Sequence, residues 1–272
     1  MNTVNKRKNN DSSGRSVIAA LGGLAASKAS KEVHHGIMSR GLKKLHFEGD
    51  TPLSKKEIED IRKAVGADPK LPVLTNNTEL LNHLMDSWYK QFRKIGYDEK
   101  KAEALAEKNA KEMFKRSHGG PHYHRLFGYI YQGGEGGNSP TALAHEFTHS
   151  TSPTIMNISH IASSVLKTPA TIYAGYKAIN DDNGLSKKEA AGLAAVMAPM
   201  LAEETRANHG AYKAMKKLHG KLTSEMKNML LLSEGSYVLG ATAPFIAYGL
   251  ARGGKKAYDK FFKNDKKGRE KS

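Results

Sequence analysis

Ten residues, Thr141 to Ser150, carry the pattern His145-Glu146-x-x-His149. Side chains four apart share one face of a helix, so both imidazoles can reach a single metal ion. Glu146 stands one step round from His145, where its carboxylate can hold a water beside that ion. Two nitrogen ligands and a base on one turn form the HExxH motif of metal-assisted peptide hydrolysis, with zinc the expected metal. A zinc site of this kind uses a third protein ligand and leaves a fourth position for water. The chain has no cysteine, so that ligand must be a histidine or a carboxylate. Glu203 and Glu204, acidic residues at the end of an apolar stretch, are the obvious source.

Both ligand sets need rigid elements to carry them. Ser139 before Pro140 reads as an N-cap followed by an N1 proline, which opens a helix about two turns ahead of the motif. Leu143 and Phe147, four apart, give that helix an apolar stripe, and Pro153 stops it. A second helix, capped by Ser152, keeps helical spacing through Ile155, Ile158, Ile161, Val165, Ile172, Tyr173 and Tyr176. Asp181-Asp182-Asn183-Gly184 then turns the chain. Aligning Gly184 with the glycine of a calcium loop puts Ile179 and Ala190 where carboxylates are needed, so the segment is a turn. Ser186 and Glu189 form a capping box for a helix through Ala190 to Ala202, kinked at Pro199. The two arms make a helical hairpin that returns the chain to the metal at Glu203 and Glu204.

Ahead of the motif, Ser54 and Glu57 form a capping box for a helix ended by Gly66. Leu71 to Leu74 reads as a short strand, and Glu79 to Lys94 and Asp98 to Arg116 as amphipathic helices. His118, His122 and His124 surround a Gly-Gly-Pro turn and read as an exposed loop rather than a second metal site; His34 and His35 also read as exposed. Leu126 to Gln132, LFGYIYQ, has the strongest strand character. A strand just before the metal helix can offer its edge to an extended substrate.

The order AHEFTH, helical hairpin, then Glu204-Thr205-Arg206-Ala207-Asn208 resembles the gluzincin peptidases related to the bacterial heat-shock membrane protease and the prenyl-protein (CAAX) protease. The likeness covers Thr141 to Leu218. It implies a mainly α (α+β), zincin-like fold, with a small sheet whose edge strand precedes the HExxH helix and a hairpin leading to the third-ligand helix. It also implies one Zn2+ per chain, held by His145, His149 and Glu204, and Glu146 as the catalytic base of an endopeptidase. His209, Arg206 and His160 are candidates for an oxyanion donor or for support of the ligands. Asn208 stands where the family carries an acidic residue, so a carboxylate that orients a ligand histidine would be missing. The hairpin is also less apolar than in the membrane-spanning relatives. These departures leave an alternative: a non-catalytic protein that binds a membrane or a partner and keeps a vestigial or structural zinc site.

Charge and hydropathy divide the chain into a basic N-terminal region at 1–50 with an Ala/Gly-rich helix, a zincin-like domain at 51–225, and an apolar helix with a basic tail at 226–272. Lys and Arg exceed Asp and Glu by 43 to 27, and the excess collects at both ends: +5 in the first fifty residues and +6 from Arg252 onward. Such ends suit an anionic membrane surface or are solvated tails. There is no Cys-His finger and no aromatic-basic interleaving, so nucleic acid is not expected; the partners are a protein or peptide substrate and an anionic membrane surface. The run from Val17 to Ala26 behind Lys6-Arg7-Lys8 loosely mimics a signal peptide but reads better as a docking helix, which gives an intracellular, membrane-associated location with secretion left open. Gly235 to Ala251 is the longest uncharged apolar run, a core helix or a marginal membrane segment with a basic anchor.

Overall fold

The computed structural model describes residues 52–117, 121–133 and 137–260, together with the isolated helical positions 24, 25, 28, 29 and 32. Most of the Val17 to Ala26 run, His34, His35, His118 and the basic tail beyond 260 lie outside the described residues. Among the described residues from 52 onward, eight helices and three short strands follow in order: α1 Lys55–Val65, β1 Val73–Leu74, α2 Asn77–Lys94, α3 Glu99–Ser117, β2 His122–His124, β3 Tyr129–Tyr131, α4 Pro140–Ser150, α5 Thr154–Asn180, α6 Lys187–His219, α7 Ser224–Ala241 and α8 Ala243–Tyr258. The fold is mainly helical with a small three-stranded sheet, as expected.

Three of the caps expected from the sequence are present; Ser152, expected to cap the helix after Pro153, instead gives its hydroxyl to Glu203, and Pro153 O accepts the first helical bond from Asn157 N. Ser54 and Glu57 bond reciprocally at the start of α1, and Gly66 ends it in the left-handed conformation. Ser139 Oγ accepts from Ala142 N at 3.1 Å, with Pro140 in the first turn of α4. At α6, Glu189 accepts from Ser186 N at 2.8 Å while Ser186 Oγ accepts from Glu189 N.

The chain divides into two compact units. One comprises Lys44–Asn157 and Glu203–Glu234 and contains the sheet. Its strand order is β1-β3-β2, with β3 parallel to β1 and antiparallel to β2. Successive strand residues face opposite sides, and β3 uses this to bind two cores. Ile130 packs with Ile58 and Ile61 of α1, Leu143 and Phe147 of α4, and Met215 of α6. Tyr129 and Tyr131 point the other way, into Leu80 and Leu84 of α2 and Ala110 of α3. Each of these large apolar side chains contributes about 1.5–3 kcal/mol on burial.

Two sequence expectations need correction in this unit. The strand expected at Leu126 to Gln132 shrinks to Tyr129–Tyr131 and is the central strand, because both its edges are paired; the outer strand beside α4 is β2. His122 and His124, expected in an exposed loop, are the ends of that strand. His124 stacks on Phe127 and Tyr129, and burial followed by the nearby His122 pushes its pKa down to about 4, so it is neutral.

The other unit comprises Met1–Lys43, Ile158–Ala202 and Gly235–Ser272. Ala178 packs with Ala247 and Ala251, and Met197 and Met200 with Ala241. Gly184, at φ 76°, turns the chain between α5 and α6 where a side chain would strike the Tyr248 hydroxyl. Gly235 to Ala251 is not one helix: it breaks between α7 and α8, where Pro244 lacks the amide an unbroken helix would need. Among the described residues no single helix is long and apolar enough to cross a membrane; α7 and α8 pass that test only as a pair bent by 54°.

Candidate metal centre

Helix α4 brings His145, Glu146 and His149 into the interior, all three buried. Against it lies the C-terminal half of α6, where Gly210, Ala211 and Ala214 are small and Met215 joins the core of Leu143 and Phe147. Gly210 is required there, since a Cβ would collide with Cγ2 and Oγ1 of Thr148. This close approach lets the short acidic side chains of α6 reach the α4 histidines.

Three atoms converge. His145 Nε2 and His149 Nε2 are 2.9 Å apart, and Glu204 Oε2 is 3.2 Å from the first and 3.1 Å from the second. These spacings match three corners of a tetrahedron with bonds of about 2 Å. Among the described residues this is the one group of histidines and carboxylates arranged to hold a metal ion.

The outer nitrogens of both rings decide what the inner ones are. Asn208 Nδ2 donates to Glu234 Oε2 at 2.6 Å, so its Oδ1 faces His145 Nδ1 at 2.8 Å and accepts from it. Glu203 Oε1 lies 2.7 Å from His149 Nδ1 and accepts from it. Each Nδ1 therefore carries a proton, and Nε2 of each ring faces Glu204, where a neutral ring offers a lone pair. Three acceptors within 3.2 Å repel one another unless a cation sits among them. The donor set, two imidazoles and a carboxylate, suits a first-row divalent ion.

Electrostatics lean the same way. Burial opposes charge on Glu204, but bonding to His145 and His149 outweighs it and holds the carboxyl at about 2. Burial likewise opposes charge on His149, and Glu203 and Glu204 override it, raising the ring to about 9. Without an ion a proton is drawn into the same place. Glu203 is fully buried, and burial works against its charge. His149, Arg206 and Ser152 nevertheless hold its carboxyl well below the usual range. Arg125 adds a further bond at 3.2 Å.

Glu146 does not point at this cluster's outer bonds. Its Oε2 accepts the backbone N–H of Tyr123, on strand β2, at 2.6 Å. Glu146 is thus anchored to the outer strand of the sheet.

The remaining sequence candidates separate. Arg206 is spent on structure: Nε donates to Glu203 Oε2 at 2.8 Å, and Nη2 to Thr148 O at 2.6 Å and to Ser152 Oγ. His209 is exposed on α6, and His160 falls in the other unit. Asn208 faces His145 Nδ1 with Glu234 behind it. Arg125 and Glu234 were not identified from sequence, Ser152 was read only as a helix cap, and Glu203 only as one of two acids that could supply the third ligand. Its bond to His149 could have been sought, because a second acidic residue beside a ligand on an apolar helix needs a reason to be buried.

Compared with family models, with curated proteins and with solved structures, the chain gives no match.

Proposed function

We propose that the chain is a zinc-dependent endopeptidase with a zincin-like catalytic unit resembling the gluzincins. The observation that carries this reading is the convergence of His145 Nε2, His149 Nε2 and Glu204 Oε2 beside a buried glutamate on the same helix as the histidines. His145, His149 and Glu204 would hold the zinc, which when bound polarises a peptide carbonyl and makes water a nucleophile near neutral pH. Glu146 takes the proton from the attacking water and delivers it to the leaving amine. The Tyr123 N–H on its Oε2 fixes the carboxylate's rotation and leaves Oε1 for that exchange. Strand β2, paired on one side with β3 among the described residues, is the edge beside which an extended substrate backbone would lie.

The non-catalytic alternative drew its support from Asn208 lacking a carboxylate. Asn208 accepts from His145 and is itself bonded to Glu234, an arrangement that supports the catalytic reading over that alternative. The purified protein should contain about one zinc per chain by mass-spectrometric metal analysis. Glu146→Gln should keep the zinc and lose casein cleavage by about 100-fold or more. A metal-free protein, or cleavage that survives in Glu146→Gln, sinks the proposal.

A further inference from the structure

Helix α5 is built inside out. Its periodicity places Ile158, Ile161, Val165 and Tyr173 on one face and Ser163, Lys167 and Thr171 on the opposite one. In water the first set should be covered. Instead Ile158 is 58% and Val165 68% exposed, while Ser163 and Thr171 are each only 3% exposed. Leu166, Val238 and Leu250 of the same unit are exposed as well.

Its charges are segregated. From Ile158 to Tyr176 the only ionisable group besides His160 and the tyrosines is Lys167, and Ala190 to Ala202 has none. The ionic residues gather at the turn between α5 and α6, where Lys177 pairs with Asp181 at 2.6 Å and with Glu189 at 3.1 Å. Arg252 and Lys255 of α8 join the same turn. Residues 1–43, 158–202 and 235–272 together hold 21 basic and 8 acidic residues, a net +13 of the chain's +16. The unit that holds the metal centre keeps the remaining +3.

From the outward apolar face of α5 and the cationic balance of its unit, we infer that this unit docks on an anionic lipid bilayer, with Ile158, Ile161 and Val165 entering the hydrocarbon boundary. No single described helix suffices to span, so the mode is interfacial. Branched aliphatic side chains gain free energy in acyl chains and none from a phosphodiester, which favours lipid over nucleic acid. The inference stands whether or not the metal centre cleaves peptides.

The full chain is floated with vesicles of phosphatidylcholine alone and of phosphatidylcholine with phosphatidylglycerol, at low and high salt. It should float with the anionic vesicles, less so as salt rises, and poorly with the zwitterionic ones. Ile158→Glu with Val165→Glu should lower the bound fraction about tenfold or more, while Ile158→Leu with Val165→Leu keeps it. Thermal melts check folding; if the glutamate pair melts early, Ile158→Ser with Val165→Ser replaces it. The inference is overturned if the parent stays with the aqueous phase or if the folded polar variant floats like the parent. It is also overturned if the polar pair instead dissociates a dimer seen by sedimentation, or if an oligonucleotide strips the parent from the vesicles.

Discussion

His145 and His149 each have one ring nitrogen committed to protein, yet their partners differ in charge. His149 donates to a carboxylate, Glu203, that Arg125 and Arg206 also contact. His145 donates to a neutral amide, Asn208, which relays to the Glu234 carboxylate; Thr205 Oγ1 also donates to Glu234 at 2.7 Å. Both arrangements fix the tautomer and make the inner nitrogen a better donor to a metal, the second at one remove. Glu203→Gln and Asn208→Ala should each weaken zinc binding by about 10–100-fold, read by competition with a chromophoric chelator. Glu234→Gln should cost less than either but remain measurable; affinity unchanged within error would dismiss the relay. Arg206→Ala should lower thermal stability, because Glu203 is left buried with fewer cations.

At the scale of elements, the metal centre depends on how closely α4 and α6 approach. Gly210→Ala pushes a methyl into Thr148 and should cost about 1–3 kcal/mol of stability. Thr148→Ala removes the two offending atoms, so the double variant should recover much of the loss in a denaturant titration. A Gly210→Ala protein as stable as the parent would mean the helices are not this close. Helix α4 was legible because its cap, its N1 proline and its ligands are all local signals in one short segment. Glu204 was legible only as one of two acids, with the choice made by resemblance. What Glu203 does was hidden, since it depends on the rotation of α6 against a helix 54 positions away. The sheet fared similarly: strand character at Tyr129–Tyr131 is a local property, but which strand becomes the edge is decided by pairing, and a three-residue β2 rich in histidine gives little signal. The break between α7 and α8 has a local cause in Pro244, which weakens the hydropathy run at sequence level without fixing where the helix ends.

At the scale of the whole molecule, an ion at this centre would join two helices whose ligands lie 55 positions apart. It would bind the folded chain and have no preformed site in the unfolded one. Stripping the metal should therefore lower the melting temperature, and zinc at about 100 times its dissociation constant should restore roughly 2.7 kcal/mol. Glu204→Gln, with a weaker ligand at the third corner, should abolish most of that zinc-dependent shift. A melt indifferent to chelator and zinc would show that the three acceptors are not brought together by a metal.

The tether on Glu146 has an evolutionary consequence. It is a main-chain amide, which nineteen of the twenty residues would supply, so the identity of residue 123 can drift without releasing the glutamate. Proline is the exception, having no N–H to give. The orientation of Glu146 is thereby inherited with the backbone path of β2, and related chains could keep it while sharing almost nothing of the strand's lettering.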